Sequence, residues 1–324
     1  MSEMINGYEL LQPLQNQNAG FCKWTFVRRY GHEYFLKEFV DPVYPEENAL
    51  SPELRDERIR ICKDYEESKK KLYRAINEAS DGGAVRIWEF FRSGSRYYIV
   101  MTKVVNEGID IERITSLPME DRMLILKSAA HSLMLLHRAN VVHSDVKPGN
   151  FLIKRTAKGK YVTRIIDFDC SFLESDPPDA SDDLGGDQVY LAPEAVRFMF
   201  GEDVKITTKA DVFALGLLFH QYLTGSLPEF DTGEYDYACE AVLDGQEILP
   251  SPSLEDHLRE MIGGMLKAEP EERWDMEKVF RCLCGESAET AVKAEIKTAP
   301  EKKEDPGGFD PSNPWKMADD SDLW

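Results

Sequence analysis

One short stretch, VVHSDVKPGNFLI (141–153), sets a His, an Asp, a Lys, a Pro and an Asn between two apolar runs, and IIDFDCSF (165–172) follows it. These residue types suit phosphoryl transfer from a nucleotide. That reaction needs a cation on the phosphates, oxygen ligands for the metals between them, and a carboxylate that accepts the proton of the incoming hydroxyl. Asp145 is the candidate base, Lys147 the candidate cation on the transferred phosphate, and Asn150 a neutral oxygen ligand for Mg2+. Asp167 offers the carboxylate that would bridge metal and phosphates, and hard oxygen donors are what Mg2+ prefers. Taken singly, Asp, Gly, Pro and Asn also mark an ordinary surface turn. The complete H-x-D-x-K-P-x-N set, followed by an apolar strand and Asp-Phe, is what favours chemistry over a turn.

Elements must hold these groups in place. FCKWTFVRRY (21–30) and HEYFLKEFV (32–40) flank Gly31 and suit a hairpin of an antiparallel sheet. Residues 51–79 carry Ile61, Tyr65, Leu72 and Ile76 near helical spacing, with Ser51-Pro52 as the start. AVRIWEFFR (84–92) and RYYIVMTKVV (96–105) return to strand, with Gly82-Gly83 and Ser93-Gly94-Ser95 as turns. From about residue 119 long helices take over: 119–140 is amphipathic, and 210–225 is apolar nearly all round, as a central helix should be. The expected architecture is α+β and bilobal, a small antiparallel-sheet lobe with one main helix (8–103) and a larger, mainly helical lobe (104–285). Beyond residue 285 the composition shifts to Ala, Glu, Lys, Pro and Gly, and 286–324 reads as a flexible tail.

Bulk composition narrows the possibilities. The 324 residues, 42% of them hydrophobic, suffice for a substantial core. A net charge of -20 disfavours nucleic acid or an anionic membrane as partner, since both need a cationic face. No run of 18 apolar residues occurs, and the N-terminus lacks the basic and apolar regions of a secretory signal. The six cysteines follow neither a zinc pattern nor a secreted disulfide frame. A cytoplasmic protein with reduced thiols is the expectation.

Over residues 8–285 the sequence resembles the eukaryotic-like protein kinase family of Ser/Thr type. The resemblance rests on YFLKEF (34–39), HSDVKPGN (143–150), IIDFD (165–169), GGDQVYLAPEA (185–195), KADVFALG (209–216) and KAEPEERW (267–274), met in the family's order. It implies ATP with Mg2+, or Mn2+, as cofactors, and a protein substrate. Lys37 then contacts the α- and β-phosphates, Glu66 on the first helix is its ion-pair partner, and Ala19 and Gly20 lie in the phosphate loop. Met101 stands as gatekeeper, with Thr102, Lys103 and Val104 along the adenine edge. His143, Asp211 and the pair Glu194–Arg273 are structural.

The departures from the family pattern also carry meaning. Gln17, Ala19 and Cys22 take the places of the loop glycines, Trp24 that of the following valine, and Phe35 that of the small residue before the lysine. Glycines there permit close backbone approach to phosphate, so this loop is expected to be the stiffer clamp. Ser144 replaces an arginine that pairs with a phosphorylated activation loop, which implies activity independent of such phosphorylation. Asp169 stands where a glycine lets the loop flip, and Asp187 where a threonine usually meets the base and Lys147. In the tail, Trp315 and Trp324 among acids suggest a docking partner, as aromatic anchors do. The alternative to a protein kinase is a pseudokinase scaffold, which would bind partners, and nucleotide at most, without turnover.

Overall fold

The structure is a computed structural model that describes residues 3–17, 20, 22–47, 51–105, 107–179 and 184–285. Ala19, Phe21, Trp315 and Trp324, with the rest of 286–324, lie outside them. The first lobe is built on a six-stranded antiparallel sheet. Its strands are β1 (Met4–Ile5), β2 (Tyr8–Leu10), β3 (Cys22–Arg29), β4 (His32–Phe39), β5 (Ile87–Ser93) and β6 (Arg96–Thr102), in spatial order β1-β2-β3-β4-β6-β5. Tyr30 and Gly31 turn the β3–β4 hairpin with positive φ at both positions (51° and 81°), the backbone twist that a two-residue hairpin requires. Strand alternation places Leu36 in a small outer cluster with Tyr8, Val27, Tyr98 and Val100, while Phe39 packs into the main core. Lys37 shares the face of Phe35 and Phe39, and the sheet therefore aims its ammonium inward. Lys37 pairs opposite Ile99, and Phe35 opposite Met101.

Helix α1 (Pro52–Ala79) starts at Ser51, whose side chain accepts from the Leu54 amide. Its buried residues are Cys62, Leu72, Tyr73 and Ile76. Ile61, expected on that face, is 42% exposed instead, because Cys62 sets the helical phase. The second lobe holds α2 (Ile111–Thr115), α3 (Met119–Arg138), β7 (Val141–Val142), β8 (Phe151–Arg155), β9 (Tyr161–Ile165), β10 (Phe172–Leu173), and helices α4 (Pro193–Met199), α5 (Thr208–Thr224), α6 (Ala238–Leu243), α7 (Asp256–Met265) and α8 (Met276–Leu283). Helix α5 is buried on nearly every side, from Ala210 to Leu223, so the lobe is assembled around it. Among the described residues no helix is long and apolar enough to cross a membrane.

Packing is tight where α7 meets the approach to α8. A Cβ on Gly264 would lie 2.2 Å from Trp274 Nε1 and 2.5 Å from Trp274 Cδ1, while the Trp274 amide donates to Gly264 O at 3.0 Å. Gly264→Ala is therefore expected to destabilise the protein by about 1–3 kcal/mol despite the better helix propensity of alanine. Urea unfolding of variant and wild type measures it, and an unchanged midpoint would show that Trp274 swings aside freely.

Candidate active site

The register of one short hairpin assembles the centre of the site. β8 and β9 pair antiparallel with Phe151 opposite Ile165. Asn150 and Ile166 are therefore neighbours just past the pairing, joined by Ile166 N donating to Asn150 O at 2.9 Å. Asp167 follows immediately, at a positive φ of 64° that is uncommon for a non-glycine residue. On the other side β7 pairs with β10, and the loop from β7 to β8 carries residues 143–150.

Asp211, in the first turn of α5 and 1% exposed, fixes that loop. Its Oδ2 accepts from His143 N at 2.8 Å and lies 3.0 Å from His137 Nε2, and its Oδ1 accepts from Ser144 N at 2.8 Å. These bonds hold Ser144 at a φ of 64°. The buried imidazole of His143 donates from Nε2 to Ile166 O (3.2 Å) and accepts at Nδ1 from Asp145 N (3.3 Å), which makes it the neutral Nε2–H tautomer. His143 thus spans both motifs, with its ring against Phe151 and Phe168.

Asp145 is held from one side only. Its Oδ2 accepts from Asn150 Nδ2 at 2.7 Å and from Lys147 Nζ at 2.8 Å, and its backbone carbonyl accepts from the same Asn150 amide at 2.9 Å. Its Oδ1 is buried without a hydrogen-bond partner, a costly state for a carboxylate oxygen. Burial opposes the charge on Lys147, but the Asp145 carboxylate, helped by Asp187 and Asp167, holds its pKa above the ordinary ammonium value. Asp187 itself caps the short helical turn 188–190 through the Val189 amide.

Lys37 reaches across from β4. Its Nζ lies 2.7 Å from Asp167 Oδ1 and 2.8 Å from Asp169 Oδ2. Burial disfavours its charge, yet the two carboxylates outweigh burial and raise its pKa. Burial pushes the Asp169 carboxyl up, whereas Lys37 brings Asp167 below the usual carboxylate value. Glu66 does not meet Lys37: it pairs with Lys70 at 2.5 Å, one turn along α1. The reason is phase, since the face of α1 set by Cys62, Tyr65, Tyr73 and Ile76 carries Lys69, and Lys69 Nζ donates to Asp169 O at 2.9 Å. Helical spacing from Cys62 and Tyr65 points to Lys69, a signal masked by the charge run around it.

Around the candidate nucleotide cleft, Met101 is buried at the end of β6, and Thr102 Oγ1 accepts from Trp88 Nε1 at 2.9 Å. Lys103 pairs with exposed Glu33 at 3.0 Å, and Val104 packs against the core. Trp24 stacks on Phe35 with centroids 5.5 Å apart and planes 29° apart, and its Nε1 donates to Gln17 O. Gly20 has a φ of 53°, and a Cβ added there would meet nothing within 4 Å. The Cys22 thiol, at the opposite end of the loop, donates to Asp169 Oδ2 at 3.4 Å.

Farther from the cleft, Arg273 and Glu194 form a bidentate pair at 2.7 and 2.9 Å, both side chains essentially buried. The remaining guanidinium hydrogens go to the carbonyls of Lys267, Lys209 and Ala268 at 2.7, 2.8 and 2.7 Å. The pair thereby ties the start of α4 to the start of α5 and to the segment after α7.

Comparison with known proteins agrees with this geometry. A family model described as protein kinase domain matches residues 62–282. The serine/threonine-protein kinase drp72 of Corynebacterium efficiens is 29% identical over 180 residues, covering 55% of this chain and 33% of that protein. PknA of Corynebacterium glutamicum is 29% identical over 180 residues, covering 55% and 36%. PknA of Mycobacterium tuberculosis is 29% identical over 184 residues, covering 56% and 40%. The chain spans a third to two-fifths of the length of these relatives.

Proposed function

Because this chain belongs to the protein kinase domain family, we propose that it transfers the γ-phosphate of ATP to a serine or threonine hydroxyl of a protein substrate. The observation that carries the reading is the state of Asp145: one carboxylate oxygen clamped by Asn150 and Lys147, the other buried and unpartnered. A carboxylate held in this way is a positioned acceptor for a hydroxyl proton. Lys147, kept protonated by its acidic neighbours, sits beside that acceptor, where it can steady negative charge on the transferred phosphate.

The oxygen donors suit a divalent cation. Asn150 spends its NH2 group on Asp145, which leaves its amide oxygen for a metal, and Asp167 adds a carboxylate. That donor pair suits Mg2+, which commonly takes one or two protein carboxylates and completes its shell from phosphates and water. When bound, Mg2+ or Mn2+ would neutralise charge on the phosphates. Lys37 keeps one of its three ammonium hydrogens free of Asp167 and Asp169, so it can reach a phosphate without leaving them.

Ser144 offers a neutral hydroxyl and a backbone held by Asp211, so a phosphorylated activation segment would find no guanidinium at this place. Phosphatase treatment is therefore expected to leave kcat/KM within about twofold. A larger loss, traced to a phosphosite between Cys170 and Ala192, would refute this independence.

The Trp24–Phe35 stack favours a second reading, a scaffold that binds partners without turnover, because two large stacked rings stand at positions where the family pattern expects a valine and a small residue beside the adenine. The deciding experiment is transfer from γ-labelled ATP to the protein itself and to a generic basic protein, with Mg2+ and with Mn2+. Serine or threonine labelling supports the kinase. No label above the Asp145→Asn background under either metal assigns the scaffold.

A further inference from the structure

Helix α1 presents no carboxylate to Lys37. The side chain it does send to the cleft is a cation, Lys69, whose Nζ donates to the Asp169 carbonyl at 2.9 Å. The Asp169 carboxylate lies 2.8 Å from Lys37 Nζ and accepts from the Cys22 thiol at 3.4 Å. One residue thus touches strand β3, strand β4 and helix α1. The two ammonium groups, Lys37 and Lys69, stand against two carboxylates, Asp167 and Asp169, so the cluster is balanced. An acid at position 69 would add a third anion to this buried neighbourhood, at a high desolvation cost.

We infer that Asp169 is the positioning residue for Lys37 and that Lys69 is its anchor, so that the tie from helix α1 to Lys37 runs through the 167–169 loop instead of a helix carboxylate. The consequence for transfer rests on the kinase reading above; the pairing itself does not. Asp167 would be shared between Lys37 and a metal, which leaves Asp169 as the carboxylate that pairs with the lysine whether or not a metal is bound. Position 169 then contributes an anion, beyond restricting the loop. Replacing it by the glycine usual at this position in the family removes the lysine's dedicated partner and strands Lys69 beside a loop that has lost its anion.

Two measurements on the full chain test this. The first is steady-state transfer with varied ATP. Asp169→Asn and Asp169→Gly are each expected to lower kcat/KM about tenfold, mainly through a higher KM for ATP, as the loss of one charged contact does. Lys69→Glu is expected to be similarly impaired. The double variant Lys69→Glu/Asp169→Gly, which moves the anion onto the helix, should recover most of the loss, and Lys69→Arg should stay near wild type while Lys69→Met does not. Full activity of Asp169→Gly alone, or no recovery in the double variant, overturns the inference.

The second measurement is a thermal double-mutant cycle of Lys37→Met with Asp169→Asn, two near-isosteric changes. The melting-temperature loss of the double variant should be clearly smaller than the sum of the single losses, and additivity overturns the pairing. If wild type transfers no phosphate, the kinase reading fails while the cycle still decides the pairing. If wild type transfers phosphate and the cycle is additive, the inference fails alone.

Discussion

Asp145→Asn should lower kcat for phosphate transfer by about 10²–10⁴-fold while leaving ATP affinity within about threefold. The substitution keeps shape and removes one acceptor. Asn150 Nδ2 and Lys147 Nζ both donate to Oδ2, so the asparagine amide will orient its oxygen toward them. Its NH2 group then falls where Oδ1 now stands without a partner. The substrate hydroxyl would meet a donor in place of an acceptor, and the base held at this position would be gone. The Asp145 carboxylate is bonded to Asn150 and Lys147 and not to Lys37, which is why binding should persist. Peptide phosphorylation kinetics and calorimetric ATP titration separate the two effects. Activity within about threefold of wild type would remove Asp145 from the role of base.

Arg273→Ala should cost about 3–5 kcal/mol, a larger stability effect than that of Gly264→Ala. All five guanidinium hydrogens are engaged: two on Glu194 and three on the carbonyls of Lys267, Lys209 and Ala268. Removing the side chain leaves a carboxylate 3% exposed with no counter-charge, together with three carbonyls that have lost a donor. For a domain of this size the loss corresponds to a melting temperature lower by roughly 6–20 °C. Glu194→Gln should cost less, because the amide keeps one acceptor for the guanidinium and no anion is stranded. Differential scanning calorimetry of the two variants gives the order. Equal losses would mean that the ion pair, and not the carbonyl bonds, dominates.

Much of this architecture can be read from local pattern. Alternating strands around Gly31, the Ser51 cap and the uniformly apolar 210–225 segment each declare themselves within a dozen residues. The loop from His143 to Asn150 does so too, because its chemistry is compressed into one motif. What stays hidden depends on helical phase and on contacts distant in sequence. Glu66 and Lys69 are both plausible members of a charged helix run, and a charge run is ordinarily a solvated face. Only the positions of Cys62 and Tyr73 decide that Lys69 turns inward and that Glu66 turns along the surface to Lys70. Asp169 is legible as a missing glycine and hence as a restricted loop. Its second identity, as a carboxylate against Lys37, joins positions 132 residues apart and needs the folded chain to bring them together. Strands β1 and β2 are likewise hard to discern, being two and three residues long.

The stack of Trp24 on Phe35 has a pharmacological consequence. With centroids 5.5 Å apart, the rings leave no slot between them for a flat third ring. On the kinase reading, a flat ring could enter between them only if Trp24 lifted away and broke its bond to Gln17 O at 2.9 Å. On the kinase reading, inhibitors shaped for the aliphatic wall that the family pattern expects here would lose potency on this chain. Ligands that lie along the edge of the Trp24–Phe26–Phe35 cluster would gain selectivity for it.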